Sequence, residues 1–121
     1  MNLVCGNAYR YYCRWITPPH AKRGICVCDM QAWFFWFNSV TAFHGQAQLS
    51  VQKTEFDKGL SKDCFLDLSG IRAASSNELQ GADDLGSIPD ALRKRILEEL
   101  AKKIPLLPES HRKLALTNLT T

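Results

Sequence analysis

Five consecutive aromatic residues, Trp33-Phe34-Phe35-Trp36-Phe37, constrain this chain more than any other stretch. Successive side chains of a strand point to opposite faces, so the run is apolar on both and predicts a central strand, ended by Asn38-Ser39. The residues before it alternate. Tyr9, Tyr11, Cys13 and Trp15 fall on one face of a half-buried strand, with Arg10, Tyr12 and Arg14 on the other. Thr17-Pro18-Pro19-His20 stops that strand, because proline donates nothing to a ladder and restricts its predecessor. Residues 23–28, 46–52, 64–68 and a short piece at 71–74 read as further strands. Their short connections favour antiparallel neighbours and a compact barrel or rolled sheet.

The hydrophobic period then changes. Ser75-x-x-Glu78 is a capping-box signature for a short helix carrying Leu79. Gly81 and Gly86 bracket an acidic turn at Asp83-Asp84. Ser87-Ile88-Pro89-Asp90 predicts a second helix start, followed by Leu92, Ile96, Leu97 and Leu100 on one face. Pro105 and Pro108 break the chain before a last amphipathic segment at 109–119. The expected architecture is α+β: strands over residues 1–74 and helices over 75–121.

A chain of 121 residues predicts one domain, 1–121, able to bury a core without staples. Its 45% hydrophobic and 22% charged content excludes a disordered chain. The longest apolar candidate, 32–37, falls far short of the roughly 18–20 residues that span a membrane. Met1-Asn2-Leu3-Val4-Cys5 has no basic region followed by an apolar stretch, so no signal peptide is expected. The five cysteines are odd in number, and Cys26-x-Cys28 has the wrong spacing for a paired-knuckle zinc site. They read as small buried hydrophobes in a reducing cytosol, so a cytoplasmic protein without metal or cofactor is expected.

Net charge is +3, and its placement is uneven. Residues 1–28 hold Arg10, Arg14, Lys22 and Arg23 and no acid, whereas residues 61–121 balance. The excess fits polyanion binding, but charge alone favours the plainer reading that these residues keep exposed strand faces soluble.

Several motifs recur in the order of a known family. Gly59-Leu60-Ser61-Lys62-Asp63-Cys64 followed by Ile71-Arg72-Ala73 resembles the "GL-x-K-D-S" turn and "IRT" strand end of the MazF/PemK toxin family. Gly86-Ser87-Ile88-Pro89-Asp90-Ala91-Leu92 resembles that family's "G-x-L-x-D-E-L" helix entry. Gly6-Asn7-Ala8-Tyr9, Arg23-Gly24-Ile25-Cys26-Val27 and Phe37-Asn38-Ser39 sit where it has "GDIY", "R-P-x-x-V" and "I-T-S". The resemblance implies a small SH3-like antiparallel barrel of five to six strands with two to three C-terminal helices. It implies a toxin that cuts single-stranded RNA without a metal, a cognate antitoxin protein, a homodimer, and no membrane.

Such cleavage needs a proton acceptor for the 2′-hydroxyl, a cation for the phosphorane and an acid for the leaving oxygen. The resemblance assigns the cation to Arg23, whose planar fork suits two phosphate oxygens. It assigns a hydroxyl to Ser39. The threonine of "I-T-S" is Asn38 here, an amide that hydrogen-bonds RNA but is neither acid nor base. The proline after the arginine is Gly24. His20 lies in the loop corresponding to the family's substrate-covering loop, where it reads as general acid or base or as a solvated loop residue. Arg10, Arg14, Lys22, Asn38, Tyr12 and His44 are candidate RNA contacts; for His44 the other reading is a turn residue. Tyr11 or Tyr12, interleaved with arginines, suits base stacking better than the 33–37 run, which reads as core. These departures leave a second expectation: a catalytically inactive barrel that binds RNA or protein, such as a phage or mobile-element regulator or inhibitor.

Overall fold

The computed structural model describes residues 2–40 and 47–120. His44 and Gln46 lie outside the described residues. The chain order is β1 (Asn7–Cys13), β2 (His20–Cys28), β3 (Trp33–Asn38), β4 (Gln48–Val51), a 3₁₀ turn (Lys53–Phe56), β5 (Cys64–Asp67), β6 (Arg72–Ala73), α1 (Ser76–Gln80), β7 (Asp83–Ser87), α2 (Asp90–Leu100) and α3 (Glu109–Thr120). The fold is α+β: one antiparallel sheet followed by C-terminal helices.

The sheet runs β4-β5-β3-β2-β1-β7, with β6 also paired to β3. Over the described residues it is an open sheet, with β4 at one edge and β7 at the other. The aromatic run is its central strand. Phe35 and Phe37 pack into one core with Ile25, Val27, Leu66, Leu92, Ile96, Leu100, Ala115 and Leu119. Phe34 and Trp36 pack into a second core on the other face, with Tyr9, Tyr11, Cys13 and Cys26. Each fully buried aliphatic or aromatic side chain here is worth about 1.5–3 kcal/mol relative to exposure.

Gly24 lies where the strands crowd most. A Cβ there would stand 3.0 Å from the Phe35 carbonyl oxygen, 3.1 Å from Phe34 Cβ and 3.2 Å from Trp36 Cδ1. Backbone and side-chain atoms of β3 therefore leave little room for a side chain here.

The two long helices cover the first face. Leu92, Ile96 and Leu100 follow one stripe of α2, and Ala115 and Leu119 belong to α3. Asn118 Nδ2 donates to the Val27 carbonyl at 2.8 Å, fastening α3 to β2. The helices also finish each other. Arg93 of α2 donates to the Leu119 carbonyl at 2.8 Å, and Arg112 of α3 donates to the Leu100 carbonyl at 2.6 Å. Both acceptors lie in a last helical turn, where carbonyls lack partners within the helix. α1 carries the expected capping box between Ser75 and Glu78.

Three expectations need correction. The acidic stretch after Gly81 is a strand, β7, so the part after residue 74 is not wholly helical. β7 pairs with β1 through Asn7↔Ser87, Ala8↔Gly86, Tyr9↔Asp84 and Arg10↔Asp83. That ladder takes up Ser87, and the residue preceding α2 is Pro89, which has no side-chain cap bond. Third, β2 begins at His20, so this residue heads a strand and does not lie in the loop before it. No helix among the described residues is long and apolar enough to cross a membrane.

Candidate functional site

β2 begins and β3 ends at the same margin of the sheet, because the two strands are antiparallel with Arg23 opposite Phe37. The turn before β5 folds against that margin, since β5 pairs with the end of β3 through Asn38↔Phe65. The three segments surround an open pocket of about 250 Å³. Five expected site residues line it: His20, Lys22, Arg23, Asn38 and Ser39. Lys62, Ser61 and Cys64 complete the polar part of the wall. Three cations and a histidine are thus among its lining residues, Lys22 from the opposite sheet face to Arg23, and among the described residues no carboxylate lines it.

Arg23 is held by the ladder on both sides. It pairs with Phe37 on β3 and with Arg10 on β1. Its side chain is half-buried, and its Nε is buried with no hydrogen-bond partner among the described residues. A charged donor buried without a partner is unfavourable, so this position costs stability. The Arg10↔Arg23 pairing adds to this, because like charges directly opposite on adjacent strands destabilise a sheet. Asp83 offsets part of it through an ion pair to Arg10 at 3.7 Å.

Lys22 points to the other sheet face. Its Nζ donates to Asn38 Oδ1 at 2.5 Å and sits 5.0 Å from the centroid of Trp36. Burial pushes the Lys22 ammonium below its ordinary pKa, and the neighbouring Arg72 charge adds to that. His20 Nδ1 lies 2.7 Å from the Pro18 carbonyl oxygen. A carbonyl only accepts, so Nδ1 carries the proton and Nε2 of the neutral ring is left as an acceptor. Burial raises the Cys64 thiol to about 11, with Asp63 adding to it against the pull of Arg23 and Lys62. Cys64 is therefore a neutral wall and not a nucleophile at neutral pH.

The remaining candidates stand outside the pocket. Arg10 is on the same sheet face as Arg23, one strand over. Tyr12 is exposed, and its hydroxyl donates to the Pro19 carbonyl at 3.3 Å. Arg14 is exposed just beyond the end of β1. Tyr11, the other stacking candidate, is buried and accepts from Trp36 Nε1 at 2.8 Å, so it offers no ring face to a ligand. His111 packs against Trp33 with ring centroids 5.0 Å apart.

Lys62 is the residue that sequence reasoning missed. The Lys62-Asp63 pair reads as a structural turn, and Asp63 is one, since its carboxylate accepts the Lys53 backbone N–H at 2.7 Å. Lys62 instead faces the pocket. Its proximity to Arg23 arises only through β3, which no local pattern encodes. Among the described residues no three His, Cys, Asp or Glu side chains are grouped as metal ligands. The chain matches no family model, no curated protein and no solved structure.

Proposed function

We propose that this chain is a toxin of the MazF/PemK type that cleaves single-stranded RNA without a metal, with the basic pocket as its phosphate site. The observation that carries the reading is a cavity lined by Arg23, Lys22, Lys62 and His20, with no carboxylate lining it among the described residues. A phosphodiester supplies the negative charge that this lining lacks.

Each chemical role has a candidate in the pocket. The guanidinium of Arg23, with Lys22 and Lys62, stabilises the extra charge of the phosphorane. The free Nε2 of His20 takes the 2′-hydroxyl proton. Ser39 is exposed at the rim and positions the leaving side by hydrogen bonding. The bonds balance: the 2′-oxygen joins phosphorus, the bond to the 5′-oxygen breaks, and the proton taken by His20 is returned to that oxygen. The products are a 2′,3′-cyclic phosphate and a 5′-hydroxyl. The reading brings with it a cytoplasmic setting, a small antitoxin covering the basic groove, a homodimer, and a sheet that is an opened form of the SH3-like barrel.

The test is incubation of the folded protein with single-stranded RNAs of varied sequence in EDTA. Cleavage to those ends is expected, with a loss of at least about a hundredfold on Arg23→Ala. RNA left intact by the wild type removes the enzyme reading. A second reading follows from Asn38, whose carbonyl is occupied by Lys22 and which has no proton to give from a hydroxyl. In that case the barrel binds RNA in a salt-sensitive way and does not cut it.

A further inference from the structure

Trp15 is 61% exposed although it is among the largest apolar side chains of the protein. It is not disordered on the surface. Its ring lies stacked on Trp36, with centroids 5.4 Å apart and planes 27° from parallel. Trp36 is itself 7% exposed and is anchored through Nε1 to the Tyr11 hydroxyl. Two cations flank the pair: Lys22 at 5.0 Å from the Trp36 centroid and Arg72 at 5.7 Å. One face of Trp15 is therefore covered by a fixed ring, and the side chain is otherwise largely open to solvent.

We propose that the open face of Trp15 is a base-stacking subsite for single-stranded RNA. Its occupant is a nucleobase neighbouring the phosphate at Arg23, so the inference rests on the RNA reading of the pocket. Lys22 links the two places, because it lines the pocket and also borders the tryptophan pair. Every base has a flat π-face, so such a platform adds affinity without demanding a sequence, and nearby cations favour the strand that carries the base. A mere cover for Trp36 would not need an aromatic ring, since a leucine excludes water as well.

The test separates stacking from cover. Anisotropy is measured with a fluorescein-labelled oligoribonucleotide of about a dozen residues, 2′-O-methylated so that it cannot be cut, against wild type, Trp15→Leu and Trp15→Phe. Trp15→Leu weakens binding by about tenfold and Trp15→Phe by about twofold or less. The slope of log affinity against log salt stays at the wild-type value in both, because no phosphate contact is lost. An oligomer of the same length with abasic riboses binds wild type and Trp15→Leu alike. Equal affinity of Trp15→Leu and wild type for the full oligomer overturns the subsite, as does an equal loss on the abasic oligomer. Thermal melting of Trp15→Phe confirms that the fold is kept. Failure of the wild type to bind either oligomer removes the RNA reading as well, whereas binding that ignores Trp15 removes the subsite alone.

Discussion

The ammonium of Lys22 is held by the side-chain carbonyl of Asn38 at 2.5 Å. An amide satisfies the donor without cancelling its charge, so the cation remains available to an anion in the pocket. A carboxylate at position 38 would hold Lys22 as firmly and neutralise it. Asn38 thus has a physical role, which is to fix a lysine that burial otherwise disfavours.

Asn38→Asp is therefore expected to weaken RNA binding severalfold and to reduce the slope of log affinity against log salt by about one. Asn38→Thr leaves the charge count and hence the slope unchanged. Salt titrations of the two variants check this, and an unaltered slope in Asn38→Asp would show that Lys22 does not meet phosphate.

Gly24→Ala tests the crowding between β2 and β3. The new methyl meets a backbone oxygen at 3.0 Å, and that oxygen cannot swing aside as a side chain does. Overpacking of this kind is expected to destabilise the protein by roughly 1–3 kcal/mol, read as a lower urea midpoint at constant m-value.

Glu55 links the 3₁₀ turn to α2. Burial alone raises its carboxyl pKa, but the Gln52 backbone N–H at 2.8 Å and the Arg95 guanidinium outweigh burial, so the net shift is downward. A carboxyl depressed in the folded state stabilises the protein above its unfolded pKa of about 4.3, and that contribution fades as pH falls through the folded value. Glu55→Gln should lower stability at pH 7 and flatten the fall in melting temperature between about pH 5 and 3. Parallel thermal scans of wild type and variant measure the difference, and equal acid slopes would exclude Glu55 as a contributor.

Most of the sheet was legible because its strands carry their own pattern. The run from Trp33 to Phe37 has no other place than a central strand, and Ser75 with Glu78 marks a helix start by local bonding. β7 was not legible. Asp83-Asp84-Leu85-Gly86-Ser87 has one large apolar residue and a glycine at φ 89°, and only the ladder to β1 makes it a strand. Strand preference at an edge is set by such partners more than by composition. The site divided along the same line. His20, Lys22, Arg23, Asn38 and Ser39 meet because two neighbouring strands bring them together, as motif order along the chain suggests. Lys62 and Trp15 join through distant pairings that leave no trace in spacing.

The mutual capping of α2 and α3 bears on how the chain is made. Residues 109–120 supply both Arg112, which completes α2, and Asn118, which seals Val27. A ribosome delivers those residues long after β2 and β3. Until they emerge, the Val27 and Leu100 carbonyls lack these partners, and the first core lacks Ala115 and Leu119. Synthesis of this protein therefore passes through an interval in which its first core is unfinished, and only the last dozen residues close it.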